Sequence, residues 1–379
     1  MINVAVIGAG AICPSHIEAY MTFPDRCRIR AVVDVNQDKA DAVIRRYHLQ
    51  AKAFNDYHWI LDDPDIHLVS VCTPPSTHAE ISIECLRAGK HVLVEKPMAA
   101  SLAECDEMIQ TAESGQRILS VVAQNRFRTP VAKVRKILET GIVGRILHAQ
   151  VNSFWWRGRA YYDLWWRGTW QSEGGGCTLN HAVHHIDMLM WMLGLPEELT
   201  AVIGNVAHDN AEVEDLSMAI LRYPNRCFAQ ITSSVVHHGE EQEIVFQGER
   251  ARVSIPWRLC ASSAKENGFP VRDEETEREI QQFYDQLPDL QYERHAGQVH
   301  DVLTAIESGR EVLISGHAGR RTLELITAVY KSATLREAVR LPLPANDPFY
   351  TKEGLLQQMP RFYQKERSVT RFHDNSITT

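Results

Sequence analysis

Ile2-Asn3-Val4-Ala5-Val6-Ile7-Gly8-Ala9-Gly10-Ala11-Ile12-Cys13 opens the chain, and its reading decides the fold of the first third. A β-branched run breaks into a glycine turn, and a helix is expected from near Ser15, carrying His16, Ile17 and Tyr20. Strand, glycine turn and helix in that order form a dinucleotide-binding turn. Gly8 permits the tight turn, and Gly10 lets the backbone approach a pyrophosphate. The unpaired N–H groups at Ala11, Ile12 and the helix start would receive it. Cys13 replaces the third glycine of the G-x-G-x-x-G pattern and is small enough for helix–strand packing.

The next strand, Ile29 to Val35, brings Asp34 near its carboxyl end, 24 residues past Gly10. A carboxylate there accepts from adenosine ribose hydroxyls and repels a 2′-phosphate. Val35-Asn36-Gln37 offers no Arg or Lys for that phosphate, so the expected cofactor is NAD rather than NADP. Asp34 would serve equally as a cap for the helix from about Gln37 to Tyr47.

Alternation continues through strand Leu68–Cys72, helix Thr77–Ala88, strand His91–Val94, helix Ser101–Glu113 and strand Ile118–Val122. Repeated units of this length indicate a doubly wound parallel sheet. Val92-Leu93-Val94-Glu95-Lys96-Pro97 is its most informative member. Pro97 ends the strand, so Lys96 is offered on a stiff support at the carboxyl end, where open α/β proteins bind ligands. Thr73, Pro74 and His78, then Glu95 and Lys96, then Gln124, follow successive strands and are candidate cofactor contacts.

From about Ile146 the pattern changes. Val151–Trp156, Leu199–Val206, Leu216–Tyr223, Cys227–Val236 and Glu243–Gln247 are strand-like at hairpin spacing, so an antiparallel sheet is expected. Residues 258–295 are polar and acidic and read as loop-rich. Helices near Gln298–Ser308 and Gly319–Thr334 are expected to return to the first part. The proline-interrupted tail from Pro342, with a short helix at Leu355–Tyr363, reads as an intersubunit arm, or as disorder beyond Arg367.

Gly174-Gly175-Gly176 leads into a helix-like run in which Asn180, His184 and Asp187 are spaced i, i+4 and i+7, on one helical face. Dehydrogenation of an alcohol needs a base for the hydroxyl proton, and His184 suits neutral pH. Lys96 would stabilise the developing alkoxide. Asp187 would orient the imidazole or the sugar, and Asn180 a neighbouring hydroxyl. His181, His184, His185 and Asp187 have ligand chemistry, but two of the imidazoles fall off the shared face, and no metal is assigned.

Five of the eight tryptophans fall between Trp155 and Trp170, interleaved with Arg157, Arg159, Arg167, Tyr161 and Tyr162. Trp165 and Trp166 are candidate sugar-stacking faces, and Arg126 and Arg157 candidate hydrogen-bond donors to hydroxyls or a carboxylate. The alternative is an amphipathic interface or core filler.

These motifs together resemble the glucose–fructose oxidoreductase/inositol dehydrogenase/rhizopine-catabolism (Gfo/Idh/MocA) family. The resemblance rests on Gly8-x-Gly10 with His16, Thr73-Pro74-Pro75 with His78, Glu95-Lys96-Pro97, and the glycines before Asn180, His184 and Asp187. It implies a Rossmann domain followed by an α/β domain with a large open, mostly antiparallel sheet. It also implies oxidation of a secondary alcohol of a sugar or cyclitol with NAD(P), by dimers or tetramers. Inositol-dehydrogenase-like members carry Asp where Asn180 stands here, and Asn is similar to members that oxidise C3 of a sugar ring.

The expected division is 1–125 for the NAD-binding part, 126–345 for a substrate-binding and oligomerisation part, and 346–379 for a tail. Two other activities fit the same residues: a redox glycosidase with tightly held NAD, and a non-catalytic dinucleotide-binding regulator. Bulk properties agree with a soluble cytoplasmic protein. Of 379 residues, 44% are hydrophobic and 23% charged, and a formal charge of −8 disfavours nucleic acid and anionic membranes. Eight scattered cysteines without a C-x-x-C pair fit reduced thiols. Residues 1–7 already form a strand, so no signal segment is read, and no apolar run approaches the roughly 18 residues that span a bilayer.

Overall fold

The computed structural model describes residues 1–370 and 372. Its first sheet has six strands: β1 (Ile2–Ile7), β2 (Cys27–Val33), β3 (Lys52–Phe54), β4 (Leu68–Val71), β5 (His91–Val94) and β6 (Leu119–Val121). They lie in the order β3-β2-β1-β4-β5-β6, and every pairing is parallel. This is the Rossmann order, with its switch point between β1 and β4. Strands buried on both faces read as continuous apolar runs, and β4 is buried at all four positions.

The helix after β1 is Cys13–Met21, two residues earlier than expected, because Pro14 suits the first turn of a helix, where its missing N–H is no loss. Asn36 caps the helix Gln37–Arg46, and Ser101 caps Leu102–Ser114. Gly141, left-handed at φ 71°, closes Thr129–Thr140.

The second sheet has nine strands: β7 (Ile146–Phe154), β8 (Glu198–Gly204), β9 (Leu216–Arg222), β10 (Phe228–Ser234), β11 (Gln242–Gly248), β12 (Ala251–Ile255), β13 (Arg258–Ala264), β14 (Pro270–Arg272) and β15 (Val339–Arg340). The order is β14-β13-β12-β11-β7-β10-β9-β8-β15. All neighbours are antiparallel except β7 and β10. Residues 258–295 are therefore not loop-rich: they form β13, β14 and the helix Glu274–Gln286. Edge strands exposed at most positions lack the alternation that marks a half-buried strand.

The helices Arg294–Ser308 and Gly316–Leu335 return to the first sheet, as expected. Gln298 Nε2 donates to the Val121 carbonyl (2.7 Å) and its Oε1 accepts from Ala123 N (3.0 Å), while Ser120 bridges to Ser315. The tail is the main surprise. After the helix Lys352–Gln358, residues 360–369 run back over their own chain instead of leaving it as an arm. Trp170 Nε1 donates to Pro360 O (2.8 Å), Lys365 Nζ donates to the Tyr162 and Leu164 carbonyls, and Asn210 Oδ1 accepts from Glu366 N and Arg367 N. Val369 pairs with Leu164 as a parallel bridge. The expectation of disorder falls, for 371 and 373–379, outside the described residues.

Ending the chain after Pro360 removes this clasp from the tryptophan-rich segment. At about 1 kcal/mol per lost hydrogen bond, a lower melting temperature is expected, with NAD affinity unchanged. Equal melting temperatures for the two lengths would show that the clasp carries no stability.

Candidate active site

The loops after β1 and β4 meet at the switch point. Gly8 adopts φ 100°, and a Cβ on it would lie 2.6 Å from the Cys72 carbonyl oxygen. Only glycine satisfies both the sign of φ and the approach. Gly10 is exposed, with nothing within 4 Å of where a Cβ would stand, so the backbone is open at the start of the Cys13–Met21 helix. Asp34 Oδ2 accepts from Ala9 N and Oδ1 from Asn36 N, both at 2.9 Å. The carboxylate thus spans the glycine turn and the next helix cap. At the far strands, Gln124 Oε1 is a buried acceptor with no partner among the described residues. An open N-terminal turn, a carboxylate at the end of β2 and this orphaned acceptor fit a dinucleotide.

Two expected cofactor contacts are taken up by the scaffold. His78 is buried, with Nδ1 2.8 Å from Pro97 O and Nε2 2.8 Å from Thr73 O. It braces the loops after β4 and β5 against each other. Thr73 itself accepts from Thr77 Oγ1 (2.8 Å), and Pro74 precedes a short 3₁₀ turn, Pro75–Thr77. Glu95 is buried too, with Oε1 2.9 Å from His16 Nε2 and Oε2 accepting from Lys96 N (3.1 Å). Burial opposes ionisation, yet the hydrogen bond from His16 and the nearby His295 imidazole, 3.8 Å away, hold the Glu95 carboxyl well below the usual carboxylate range. His16, Glu95 and His295 are also the trio whose ligand atoms lie within 4.8 Å of one another. Glu95 is engaged there by His16 and the Lys96 amide, a brace beside which His295 Nε2 stands 3.8 Å from Glu95 Oε1 with no hydrogen-bond partner among the described residues.

Above this brace Lys96 is half-buried, and its Nζ donates to the Asn180 carbonyl (3.1 Å). Burial lowers its pKa from the ordinary lysine value, against the attraction of Glu95, and the Arg167 charge lowers it further. Lys96 and His184 line one cavity of about 20 Å³, with Met98, Asn125, Asp187 and Thr322. Burial, and then the Lys96 charge, hold the His184 imidazole well below its ordinary value, so it is neutral at pH 7.

Asn180, His184 and Asp187 do not share one continuous helix. A short helix Cys177–Asn180 breaks at His181 and Ala182 before Val183–Leu193 begins. The start of the short helix is fixed from below. Glu214 Oε2 accepts from Gly176 N and Oε1 from Thr178 N, both at 3.0 Å, and Tyr330 OH donates to Oε1 (3.1 Å). A Cβ on Gly176 would run into the Glu214 backbone carbonyl, which explains the glycine there. Burial pushes the Glu214 carboxyl up to about 7, against these hydrogen bonds. Asn180 Nδ2 donates to Gly175 O (2.7 Å), so its amide nitrogen is occupied and the amide oxygen is its remaining polar end.

Asp187 is not free to orient a sugar or the His184 ring. Arg126 Nε and Nη2 donate to its two oxygens at 2.7 Å each, and Thr322 Oγ1 adds a third bond at 3.1 Å. Both partners are buried. Arg126 is thus a bidentate partner of Asp187 rather than a sugar contact.

The tryptophan-rich segment divides. Trp170 is core, edge-on to Tyr330. Trp155 lies beside His181, with centroids 5.9 Å apart. Trp166 covers Arg167, whose guanidinium is also 4.1 Å from the Tyr161 ring and 2.8 Å from buried Glu173. Trp165 is exposed, its backbone N donating to Val369 O, and neither Trp165 nor Trp166 lines the Lys96–His184 cavity. Arg157 sits over the Trp155 and Tyr161 rings and pairs with Glu240 (2.6 Å). The sequence reading named His181 and Tyr161 but missed that they meet, with Nε2 and OH 3.4 Å apart, and missed Glu214 and Glu173. None of these has a local signal, since each is defined by a partner on another element.

Two family models match this chain. Residues 2–123 match the oxidoreductase family NAD-binding Rossmann fold, and residues 131–254 the GFO/IDH/MocA C-terminal domain. The chain belongs to the GFO/IDH/MocA family. It is 26% identical over 344 residues to myo-inositol 2-dehydrogenase of Thermotoga maritima, covering 89% of this chain and 98% of that protein. It is 29% identical over 277 residues to levoglucosan dehydrogenase of Pseudarthrobacter phenanthrenivorans, covering 65% of this chain and 70% of that one. Among solved structures, the WlbA dehydrogenase of Bordetella pertussis, in complex with NADH and UDP-GlcNAcA, superposes with a TM-score of 0.76 at 27% identity. That match covers 90% of this chain and 99% of WlbA. The family's first domain binds NAD, and the open turn at Gly8–Ile12 with Asp34 is where this chain would hold it. No helix among the described residues is long and apolar enough to cross a membrane.

Proposed function

We propose that this chain oxidises a ring secondary alcohol of a sugar, glycoside or cyclitol, and that Lys96 and His184 carry the proton chemistry. The observation that supports this most is the pair's place in one cavity at the carboxyl ends of the parallel strands β5 and β6. NAD, when bound, supplies the hydride acceptor. The neutral imidazole of His184 takes the hydroxyl proton, and Lys96 Nζ hydrogen-bonds the same oxygen and stabilises its developing charge. Asn180 positions a neighbouring hydroxyl through its amide oxygen, and Arg157 closes the outer side. The inositol and levoglucosan dehydrogenases among the relatives support this substrate class. In this proposal 1–125 hold the cofactor and 126–345 the sugar.

NADH formation across monosaccharides, glycosides, inositols and uronates tests the reading. Steady NADH from at least one ring alcohol is expected, and cleavage of glycosides without net NADH would favour the redox glycosidase instead. Asp34 sets cofactor choice: NAD is expected to be preferred, and Asp34→Ala to narrow the gap to NADP. Equal efficiency of the unaltered enzyme with both cofactors would overturn that role.

The helices Val183–Leu193 and Gly316–Leu335 pack against the second sheet. Val202, Met218, Ile220 and Phe228 are exposed, and Val202 pairs with Met218 in register. An apolar patch of this kind marks an interaction surface. We assign it to a second copy of this chain, so Ile220→Glu is expected to reduce the particle size in sedimentation. An unchanged size would remove the assignment.

A further inference from the structure

We propose that a groove beside the candidate site is a subsite for a second, uncharged sugar ring, so that the preferred substrate is a glycoside rather than a free monosaccharide. This rests on the dehydrogenase reading above and adds the part of the substrate that is not oxidised.

The groove has a volume of about 690 Å³ and is lined by Trp156, Arg157, Gly158, Tyr161, His238 and Glu240 among others. That size lies in the ~300–1,000 Å³ range of small-molecule sites. Trp156 is 45% exposed, a large apolar ring left facing water. His238 backs it, with centroids 5.6 Å apart and planes 25° apart, so the indole is held by a stacked neighbour. The Trp156 backbone is fixed by a bridge to Val236 and by a bond from its N–H to Glu240 (3.2 Å). Gly158 has an ordinary φ of −74°, so its backbone conformation does not call for glycine. A Cβ there would touch the edge of the Trp156 ring at 3.4 Å, and the missing side chain keeps that edge clear.

The groove continues into the candidate site through two of its own residues. Tyr161 OH reaches His181 Nε2 at 3.4 Å, and the Arg157 guanidinium lies over the Tyr161 and Trp155 rings. His181 in turn follows Asn180, whose carbonyl accepts from Lys96 Nζ (3.1 Å). These contacts join the wall of the groove at Tyr161 to Lys96 in the inner site.

The chemistry at the outer end selects the occupant. Arg157 is neutralised by Glu240 at 2.6 Å, so among the described residues the groove's lining offers no unpaired Lys or Arg for a phosphate or carboxylate. An aromatic face flanked by a fixed donor and acceptor, Arg157 and Glu240, suits a pyranose. Its C–H face lies on the indole and its equatorial hydroxyls meet the polar rim.

The test pairs glucose, galactose and mannose with cellobiose, lactose and mannobiose. Each is assayed with NAD on the full-length enzyme and on Trp156→Ala and Gly158→Leu, alongside saturation-transfer NMR of the same sugars. In the unaltered enzyme at least one disaccharide should have a lower KM than its monosaccharide. Both variants should raise that KM about 3- to 10-fold at unchanged kcat, the scale of one lost aromatic contact, and leave the monosaccharide constants alone. Saturation should reach both rings in the unaltered enzyme and only one in the variants. Saturation of one ring throughout, equal effects on both sugar classes, or a change of particle size in Trp156→Ala would overturn the subsite. Saturation of both rings without NADH from any sugar would support the subsite and overturn the dehydrogenase reading alone.

Discussion

Replacing His184 or Lys96 with alanine should each lower turnover by about 100-fold or more while NAD affinity stays near that of the unaltered enzyme. Neither side chain is assigned to the pyrophosphate or the adenosine, which lie with Gly8, Gly10 and Asp34. The two losses should differ in their pH profiles. His184 is held well below the ordinary histidine value by burial and the Lys96 charge. The acid limb, where falling pH protonates the base, should therefore lie below the pH at which an ordinary histidine titrates. Lys96 is lowered from the ordinary lysine value. The alkaline limb, where rising pH removes the stabilising charge, should therefore come earlier than an exposed lysine would give. Lys96→Arg should retain some turnover and lose that alkaline limb. Normal turnover in both alanine variants would mean that the chemistry lies elsewhere.

The second large effect is on stability. Asp187→Ala would leave the Arg126 guanidinium buried without its bidentate partner, and such a break costs about 3–5 kcal/mol. The expected result is a large drop in melting temperature, and weakened activity only as far as the Val183–Leu193 helix shifts. The double variant Arg126→Met with Asp187→Leu removes both charges and should recover most of the loss, because well-packed apolar side chains often replace a buried pair at little cost. If Asp187→Ala melted like the unaltered protein but lost sugar binding, Asp187 would be a sugar contact after all.

That pair shows where sequence reading stops. The β1 turn and helix were legible because strand, glycines and helix are contiguous, and each residue's constraint is local. The alternation in β8 and β9 was legible because one face is buried and the other open. Asp187 and Arg126 are 61 residues apart, and Glu214 is 36–38 residues from the amides it holds, so no spacing rule connects them. The break at His181–Ala182 was invisible because the composition there favours a continuous helix, and the carboxylate that caps the start of Cys177–Asn180 comes from the approach to β9. The tail was misread because its partners, Asn210, Tyr162 and Leu164, are brought together only by the folded chain. The general position of the site followed from strand ends, and its supporting layer did not.

The most direct measurement follows the hydrogen itself. A ring-deuterated substrate from the sugar and cyclitol panel, incubated with NAD and the enzyme, should deliver deuterium to the nicotinamide, read by mass spectrometry of the recovered cofactor. The same incubation with Lys96→Ala or His184→Ala should deliver almost none. Recovered NADH carrying no deuterium from any labelled ring position, or no NADH at all from an enzyme shown to bind NAD, would contradict hydride transfer from a ring alcohol.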